Sequence, residues 1–212
     1  MGFDPDVPVA APLYPVNLVL AGRRCLVVGG GAVAAAKVRS LLAADAEVTV
    51  VAPRVAEEIA GLDRVRIERR PYRAGEVAGY RLAMTATDDP EVNRRVHLDG
   101  EEAGVWVNSA DDPANCSFTL PAVVRQGPIT VAVGTGGYSP ALATWLRRHV
   151  ERELDGAYLV LLDLLAELRG TLQDEGVATE SASWQEALDS GIIDLVRAGQ
   201  IDRARERLQA CL

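Results

Sequence analysis

The chain reads Cys25-Leu-Val-Val-Gly29-Gly30-Gly31-Ala32-Val33-Ala34 near its amino end, where a short apolar run meets three glycines and a helical segment. Gly29, Gly31 and Ala34 fit the pattern G-x-G-x-x-G/A of a dinucleotide-binding turn. The first glycine makes a tight turn, the second lets a pyrophosphate approach the backbone, and the small third residue allows close helix–strand packing. The free N–H groups at the helix opening, from Gly30 through Ala32 and Val33, are expected to hold the phosphates.

Short apolar runs alternate with helical stretches over the following residues. The predicted strands are Cys25–Val28, Glu47–Val51, Val65–Glu68, Leu82–Thr85, Val105–Asn108 and Ile129–Val133. The predicted helices between them are Val33–Ala44, Val55–Leu62 and Pro90–Ala103. This alternation predicts an α/β fold with a Rossmann-like parallel sheet. It also favours a nucleotide site at the glycine loop over a glycine-rich turn without a ligand.

The pattern becomes helical after the sixth predicted strand. Ser139-Pro140 predicts a helix start, with serine as N-cap and proline at the first helical position. Tyr158–Leu168 is apolar nearly all round, which predicts a helix buried among neighbours or at a subunit contact, and shorter helices are expected around Trp184–Leu188 and Ile201–Leu208. The predicted division is a dinucleotide-binding domain at 12–112, a dimerisation or bridging segment at 113–154 and a helical C-terminal domain at 155–212.

Composition narrows the class of protein. A formal net charge of −8 argues against a nucleic-acid binder, which needs a basic face. No apolar run approaches the about 18 residues of a spanning helix, and acids and prolines interrupt the amino-terminal run where a secretory signal would lie. The three cysteines are far apart and predict neither a disulfide framework nor a permanent metal site. We therefore expect a reduced, cytoplasmic protein.

The end of the second predicted strand lacks an expected carboxylate. Dinucleotide sites usually place Asp or Glu there to hold the adenosine ribose, whereas this chain continues as Ala52-Pro53-Arg54. Ribose contacts are then expected from the backbone and the Pro53 loop. Arg54 either accommodates a 2′-phosphate, which leaves NADP open, or is a solvated loop arginine.

Three ordered stretches together resemble the precorrin-2 dehydrogenase / sirohydrochlorin ferrochelatase family, which includes the N-terminal half of siroheme synthase. The first runs from Tyr14-Pro15-Val16-Asn17-Leu18 through the glycine loop to Lys37. The second is Ala86-Thr87-Asp88-Asp89 with Val92-Asn93. The third runs from Val107-Asn108-Ser109-Ala110-Asp111-Asp112-Pro113 through Cys116-Ser117-Phe118 to Gly136-Gly137-Tyr138-Ser139-Pro140. The resemblance covers roughly residues 12 to 155.

The resemblance implies an activity. Such proteins pass a hydride from precorrin-2 to NAD and give sirohydrochlorin, and some then insert ferrous iron to give siroheme. They are typically homodimers, and the segment after the Rossmann unit forms much of the contact. The chain shows no methyltransferase segment, so we expect the stand-alone form with NAD as cofactor and no nucleic-acid or membrane partner.

Asp111 is the predicted catalytic base. It follows the fifth predicted strand, at the sheet edge where ligands of open α/β folds bind, and it matches the family's functional aspartate in the Asn-x-x-Asp stretch that begins at Asn108. Removal of a hydride and a proton from the macrocycle needs such a base within hydrogen-bond reach. Asp112 is the alternative, and an Asx-type turn before Pro113 is the structural explanation for both.

Other residues receive a predicted role beside the base. Ala86 and Thr87 end a strand, and their backbone is expected to touch the dinucleotide. Asp89 is interpreted as a helix cap rather than a catalytic carboxylate. The loop with Gly136, Gly137 and Ser139 either holds a substrate carboxylate at the next helix or is only a well-capped turn. We assign Asn108 to the substrate side of the site.

The two histidines are interpreted as structural, His97 in mid-helix and His149 packed in an apolar stripe. A homodimer is expected, because Tyr158–Leu168 carries more apolar surface than a small helical tail covers alone. The competing class is a non-catalytic NAD(H)-sensing module, which needs no base at the sheet edge. A dehydrogenase without chelatase activity is the alternative within the enzyme class.

Overall fold

The computed structural model describes residues 13–110, 112–176 and 183–211. Its backbone groups into two units. The nucleotide unit contains the described residues through Leu120 together with Gly136–Tyr138, and the second unit contains Pro121–Thr135 and the described residues from Ser139 onward. The predicted boundaries at 112 and 154 stay predictions.

A five-stranded parallel sheet forms the centre of the nucleotide unit, in the order β3-β2-β1-β4-β5. The strands are β1 (Arg24–Val28), β2 (Glu47–Val51), β3 (Val65–Glu68), β4 (Leu82–Thr85) and β5 (Trp106–Ser109). Val28 pairs with both Val51 and Thr85, so three strands end at the same level. The order reverses between β1 and β4, which is the switch point where open α/β sheets bind ligands. The predicted fold class is confirmed.

Helices cover both faces of this sheet: α1 (Ala32–Leu42), α2 (Glu57–Ala60) and α3 (Pro90–Ala103). Successive strand residues point to opposite faces, so Cys25 and Val27 pack with Val38 of α1, whereas Leu26 packs with Val96 of α3. β1, β2 and β4 are buried on both faces and are therefore apolar along most of their length, which made them recognisable as short apolar runs. A 3-10 turn at Pro113–Asn115 follows β5.

The second unit begins with an antiparallel hairpin of β6 (Ala122–Gln126) and β7 (Ile129–Val133). Five helices follow among the described residues: α4 (Pro140–Glu153), α5 (Ala157–Asp174), α6 (Ser183–Asp189), α7 (Ile192–Arg197) and α8 (Ile201–Ala210). Leu161 and Leu164 of α5 are buried against Ile192, Val196 and Leu208. None of the described helices is long and apolar enough to cross a membrane.

Several element predictions are confirmed with the same bounds, including β2, β3, β4, β7 and α3. Among the described residues, the sequence did not predict β6, α7 or the 3-10 turn at Pro113–Asn115. β6 is short and its identity depends on pairing with β7, and α7 is a single-turn segment held by the core of α5 and α8.

The interpretation of His149 as a packed residue is wrong. α4 buries Ala143 and turns the opposite side outward, so that Trp145 and His149 are exposed and stack with ring centroids 5.6 Å apart. The apolar stripe in the sequence therefore did not coincide with the packed face of the helix.

Candidate active site

The three glycines of the first loop occupy three different environments. Gly29 is buried with φ +125°, and a Cβ there would lie 2.2 Å from the Ala86 carbonyl oxygen. At Gly30 a Cβ would lie 2.0 Å from the Arg54 carbonyl oxygen. Only glycine therefore fits at either position, because the loop packs directly on the backbones that follow β4 and β2.

Gly31 has a different reason for being glycine. It is exposed, its φ of −89° suits any residue, and no described atom lies within 4 Å of an added Cβ. It is also the N-cap of α1, where no described side chain caps the helix and no acidic residue lies in the first turn. The helix therefore presents uncapped N–H groups and the positive end of its dipole to open space, as a pyrophosphate requires.

Backbone hydrogen bonds hold the loops at this sheet edge together. The amide of Gly29 donates to Val51 O at 3.0 Å, and the amide of Ala86 donates to Val28 O at 2.8 Å. The amide of Ala56 donates to Gly30 O at 2.8 Å. These bonds extend the sheet beyond its strands, so the predicted cofactor residues after β1, β2 and β4 form one continuous edge.

Asn93, for which the sequence predicted no role, stabilises the loop after β4. Asn93 of α3 is 6% exposed, donates from Nδ2 to Thr87 O at 3.0 Å, and accepts from the Thr87 hydroxyl at 2.8 Å. Asp89 caps α3 by accepting from the amides of Glu91 and Val92, with Pro90 at the first helical position. The cap prediction for Asp89 is confirmed, and the amide of Asn93 explains why Thr87 has a fixed place at the edge.

Pro53 and Arg54 lie exposed after β2. The Arg54 carbonyl contacts the glycine loop, and the Arg54 side chain lies at the surface. It follows the end of β2, where a dinucleotide site usually has the Asp or Glu that binds the ribose. The predicted roles of both residues toward the adenosine ribose stay predictions.

The end of β5 carries a dense polar network. Asn108 is 7% exposed and donates from Nδ2 to Phe118 O at 2.9 Å, while the Lys37 ammonium donates to its Oδ1 at 3.4 Å. The Thr85 hydroxyl donates to Ser109 Oγ at 2.9 Å, and both residues are buried. The contacts of Asn108 are internal, which supports a positioning role; its predicted contact with substrate stays a prediction.

Asp111, the predicted base, lies outside the described residues. Its neighbours bracket the turn: the amide of Ala110 donates to Thr85 O at 2.9 Å, and the Cys116 thiol donates to Asp112 O at 3.3 Å. Asp112 is half-buried at the start of the 3-10 turn, and Asn115 donates to its carboxylate. This contact occupies Asp112 within the turn, although its side chain accepts from no described backbone amide there, as the predicted Asx-type turn would require.

Cys116 holds this turn through its sulfur. The Ser109 amide donates to Sγ at 3.2 Å, and the sulfur also lies 3.5 Å from Asn108 Nδ2. Burial raises the pKa of the thiol, and the hydrogen bond from Ser109 and the charge of Lys37 oppose that rise. The thiol is therefore protonated at neutral pH and acts as a structural donor and acceptor rather than a nucleophile.

The second glycine loop ends in a capped helix. Ser139 is the N-cap of α4 and accepts from the amide of Leu142 at 3.1 Å, with Pro140 following as a residue without an N–H group. Gly136 and Gly137 have positive φ of 62° and 87°. The structure thus favours the capped-turn interpretation, and substrate contacts at Gly136, Gly137 and Ser139 stay predictions.

Two models of protein families match this chain. One, described as putative NAD(P)-binding, matches residues 16–122, and another, described as sirohaem biosynthesis protein central, matches residues 126–153. The chain belongs to the family described as putative NAD(P)-binding, whose model matches half of its length. The family resemblance and the dinucleotide-binding assignment are confirmed.

Individual members of this family align along most of the chain. Siroheme synthase of Nitrosococcus oceani is 36% identical over 203 residues, which is 93% of this chain and 43% of that protein. Siroheme synthase of Thioalkalivibrio sulfidiphilus is 39% identical over 204 residues, 94% of this chain and 42% of that protein. The chain thus spans less than half the length of these curated relatives.

One solved structure matches nearly from end to end. It is described as SirC, precorrin-2 dehydrogenase, and it superposes with a TM-score of 0.73 at 29% identity. The match covers 94% of this chain and 98% of that one. The likeness therefore includes the hairpin and the helices of the second unit as well as the Rossmann-like sheet.

Proposed function

We propose that this protein catalyses the NAD-dependent oxidation of precorrin-2 to sirohydrochlorin. The observation that carries the proposal is the match to a precorrin-2 dehydrogenase over 94% of this chain and 98% of the other. A dinucleotide-binding sheet alone is common to many oxidoreductases, whereas a match that continues through the second unit is specific.

The residues present fit the dinucleotide. Gly31 leaves open space at the uncapped start of α1, and the exposed Pro53 and Arg54 edge leaves room for the ribose. When bound, NAD accepts the hydride, so that precorrin-2 and NAD⁺ give sirohydrochlorin, NADH and one proton. The chain has to bind the macrocycle beside the switch point, exclude water and accept that proton.

Asp111 is the group proposed to accept the proton. It lies in sequence between Ala110, which is bonded to β4, and Asp112, whose carbonyl is held by Cys116. The described residues on both sides of position 111 are thus held by hydrogen bonds, and a general base has to act within hydrogen-bond reach of the macrocycle. Asp112 is the alternative base, although its contact with Asn115 favours a structural role.

The decisive experiment is anaerobic incubation of the purified protein with precorrin-2 and NAD, followed by absorbance of NADH and of the oxidised macrocycle. We expect turnover, and Asp111→Ala should lower kcat by about 10²- to 10⁴-fold while NAD still binds. Asp112→Ala is the matched control. Normal turnover in both single variants would exclude aspartate catalysis at this turn, and loss only in Asp112→Ala would move the base by one position.

Ferrochelation is a separate activity and needs its own test. Fe²⁺ is added as a substrate to the sirohydrochlorin formed in the same incubation, and the siroheme spectrum reports insertion. In a chelatase the Asp111 carboxylate would also accept pyrrolic N–H protons, so Asp111→Ala should lose both activities. Oxidation without iron insertion would define a dehydrogenase that lacks the chelatase function.

A non-catalytic NAD(H) sensor is the alternative function. It shares the glycine loop and differs in making no product, so the incubation separates the two: the sensor binds NAD and leaves the precorrin-2 spectrum unchanged. The buried network around Asn108 and Cys116 favours the enzyme, because a sensor has no need for an anchored carboxylate turn beside the nucleotide.

A homodimer and a cytoplasmic location complete the proposal. The sequence predicts a dimer from the apolar surface of Tyr158–Leu168. In the structure, Leu161 and Leu164 of this segment are covered within the second unit. Exposed apolar surface lies instead on α4, where Leu142 is 48% and Trp145 is 59% exposed. We expect light scattering to report a dimer at micromolar concentration, and Trp145→Glu to weaken it; a monomer would contradict this part of the proposal.

A further inference from the structure

One side chain links the nucleotide helix to the end of β5. Lys37 lies on α1, the helix that Gly31 opens, and its Nζ is 3.4 Å from Asn108 Oδ1, a residue 71 positions away. Since β4 lies between β1 and β5 in the sheet, this side chain spans from one side of the switch point to the other. This hydrogen bond joins the helix after the dinucleotide loop to the end of β5, two segments that the proposed reaction needs in a fixed relative position.

Asn108 connects Lys37 to residues that lie on the far side of position 111 in the sequence. Its Nδ2 donates to Phe118 O at 2.9 Å and lies 3.5 Å from Cys116 Sγ. Cys116 in turn bonds to the Ser109 amide and to Asp112 O. Asn108 and Cys116 therefore bind residues on both sides of position 111, namely Ser109, Asp112 and Phe118.

The choice of lysine at position 37 is unusual in this chain. The sequence has 22 Lys and Arg residues, of which Lys37 is the one lysine. An ammonium is a compact charge on a flexible stem, whereas a guanidinium is a wide planar fork. Lys37 is half-buried and Asn108 is 7% exposed, so the contact between them is partly shielded from solvent.

The charge of Lys37 also acts on the loop. It lowers the pKa of the Cys116 thiol, which the negative charge of Asp112 raises, and burial is the larger influence on that group. Lys37 and Asp112 therefore act on the same half-buried sulfur with opposite charges.

We propose that Lys37 is a positioning residue for the reaction, which holds Asn108 and, through it, Cys116 and Phe118 in register with the dinucleotide loop. The inference rests on the proposed dehydrogenase function. It differs from a structural role of Lys37 in one respect: the loss should appear in kcat and in the order of residues 108–118, with NAD affinity and global stability little changed.

The first test compares Lys37→Met with wild type in the anaerobic assay. Methionine keeps the apolar stem and removes the charge, and we expect kcat to fall by about 10- to 100-fold, as a misplaced reacting group predicts. The Kd for NAD from calorimetry should change less than about 3-fold, since Gly31 is untouched. Arg39→Met, at an exposed position of the same helix, is the matched control and should keep wild-type kcat.

A double-mutant cycle tests the route through Asn108. If Lys37 acts through Asn108, then Lys37→Met and Asn108→Ala together should lose no more kcat than the worse single variant. Losses that multiply would overturn the route. Lys37→Arg should recover part of the lost kcat, and equal activity of Lys37→Arg and Lys37→Met would overturn the role of the charge.

A readout without catalysis separates this inference from the proposed function. The backbone amides of Ser109 and Ser117 donate to Cys116 Sγ and to Val107 O, respectively. Their hydrogen exchange should become faster in Lys37→Met and should not change in Arg39→Met. Unchanged exchange would overturn the inference even in an active enzyme. Should wild type fail to oxidise precorrin-2, the proposed function fails, whereas the exchange result still decides whether Lys37 orders the loop. If Lys37→Met does not fold, Lys37→Gln is the second neutral variant.

Discussion

The two glycine loops of this protein look alike in sequence and open their helices differently. Gly29–Gly31 leads into α1 with a glycine N-cap and no capping side chain among the described residues. Gly134–Gly137 leads into α4, where the Ser139 hydroxyl accepts from the Leu142 amide and Pro140 has no N–H group. A helix that caps itself has fewer free donors for a ligand, so the cap and not the glycine content distinguishes an anion site from a turn.

Substitution of Gly31 should give the largest difference between the loops. Gly31→Leu places a side chain in open space at the start of α1, so the protein should fold while the Kd for NAD rises by about 100-fold or more, equal to about 2.8 kcal/mol. Gly134→Leu, also free of described neighbours within 4 Å, is the matched change in the second loop and should leave the Kd unchanged. Calorimetry measures the Kd for NAD of both variants, and equal increases would contradict the proposed difference between the two loops.

The glycines within the first loop should separate stability from binding. Gly30→Ala forces a Cβ to 2.0 Å from the Arg54 carbonyl oxygen, and we expect a loss of about 1–3 kcal/mol in the free energy of unfolding. Gly31→Ala meets no described atom and serves as the control, with a smaller loss that reflects only the poorer N-cap preference of alanine. Urea unfolding followed by circular dichroism measures the difference; a Gly30→Ala protein as stable as wild type would show that the loop is loosely packed.

The cap of α4 should matter for stability and leave nucleotide binding alone. Ser139→Ala removes the acceptor for the Leu142 amide and should cost about 1 kcal/mol, whereas Ser139→Gly should cost only a few tenths. Thermal unfolding ranks the three proteins. A weaker NAD affinity in Ser139→Ala would connect the second loop to the nucleotide and contradict the contrast drawn above.

The smallest expected effect concerns Arg54 beside the first loop. With no carboxylate at the end of β2 to repel a 2′-phosphate, we expect NAD to be preferred over NADP by a modest factor. Arg54→Ala should raise the KM for NADP by about 2- to 5-fold, the size of an exposed ion pair, and leave the KM for NAD unchanged. A higher kcat/KM with NADP than with NAD in the wild type would reverse the assigned preference.

The sequence by itself determined the sheet and its nucleotide edge. β2 and β4 are buried along nearly their whole length in the parallel sheet and appear as apolar runs, so they were found with their bounds. The Asp89-Pro90 and Ser139-Pro140 helix starts are also local, since a cap is a bond between residues two or three positions apart. The glycine pattern identified the cofactor because its chemistry acts through consecutive backbone groups.

Only the tertiary structure decided how these parts meet. That Gly30 touches the Arg54 carbonyl, that Asn93 braces Thr87 and that Lys37 reaches Asn108 are contacts between segments whose distance apart in the sequence conceals them. The same reason explains the error at His149, because the packed face of α4 depends on the hairpin beneath it. Local patterns specify elements, and the faces that become buried are settled by what packs against them.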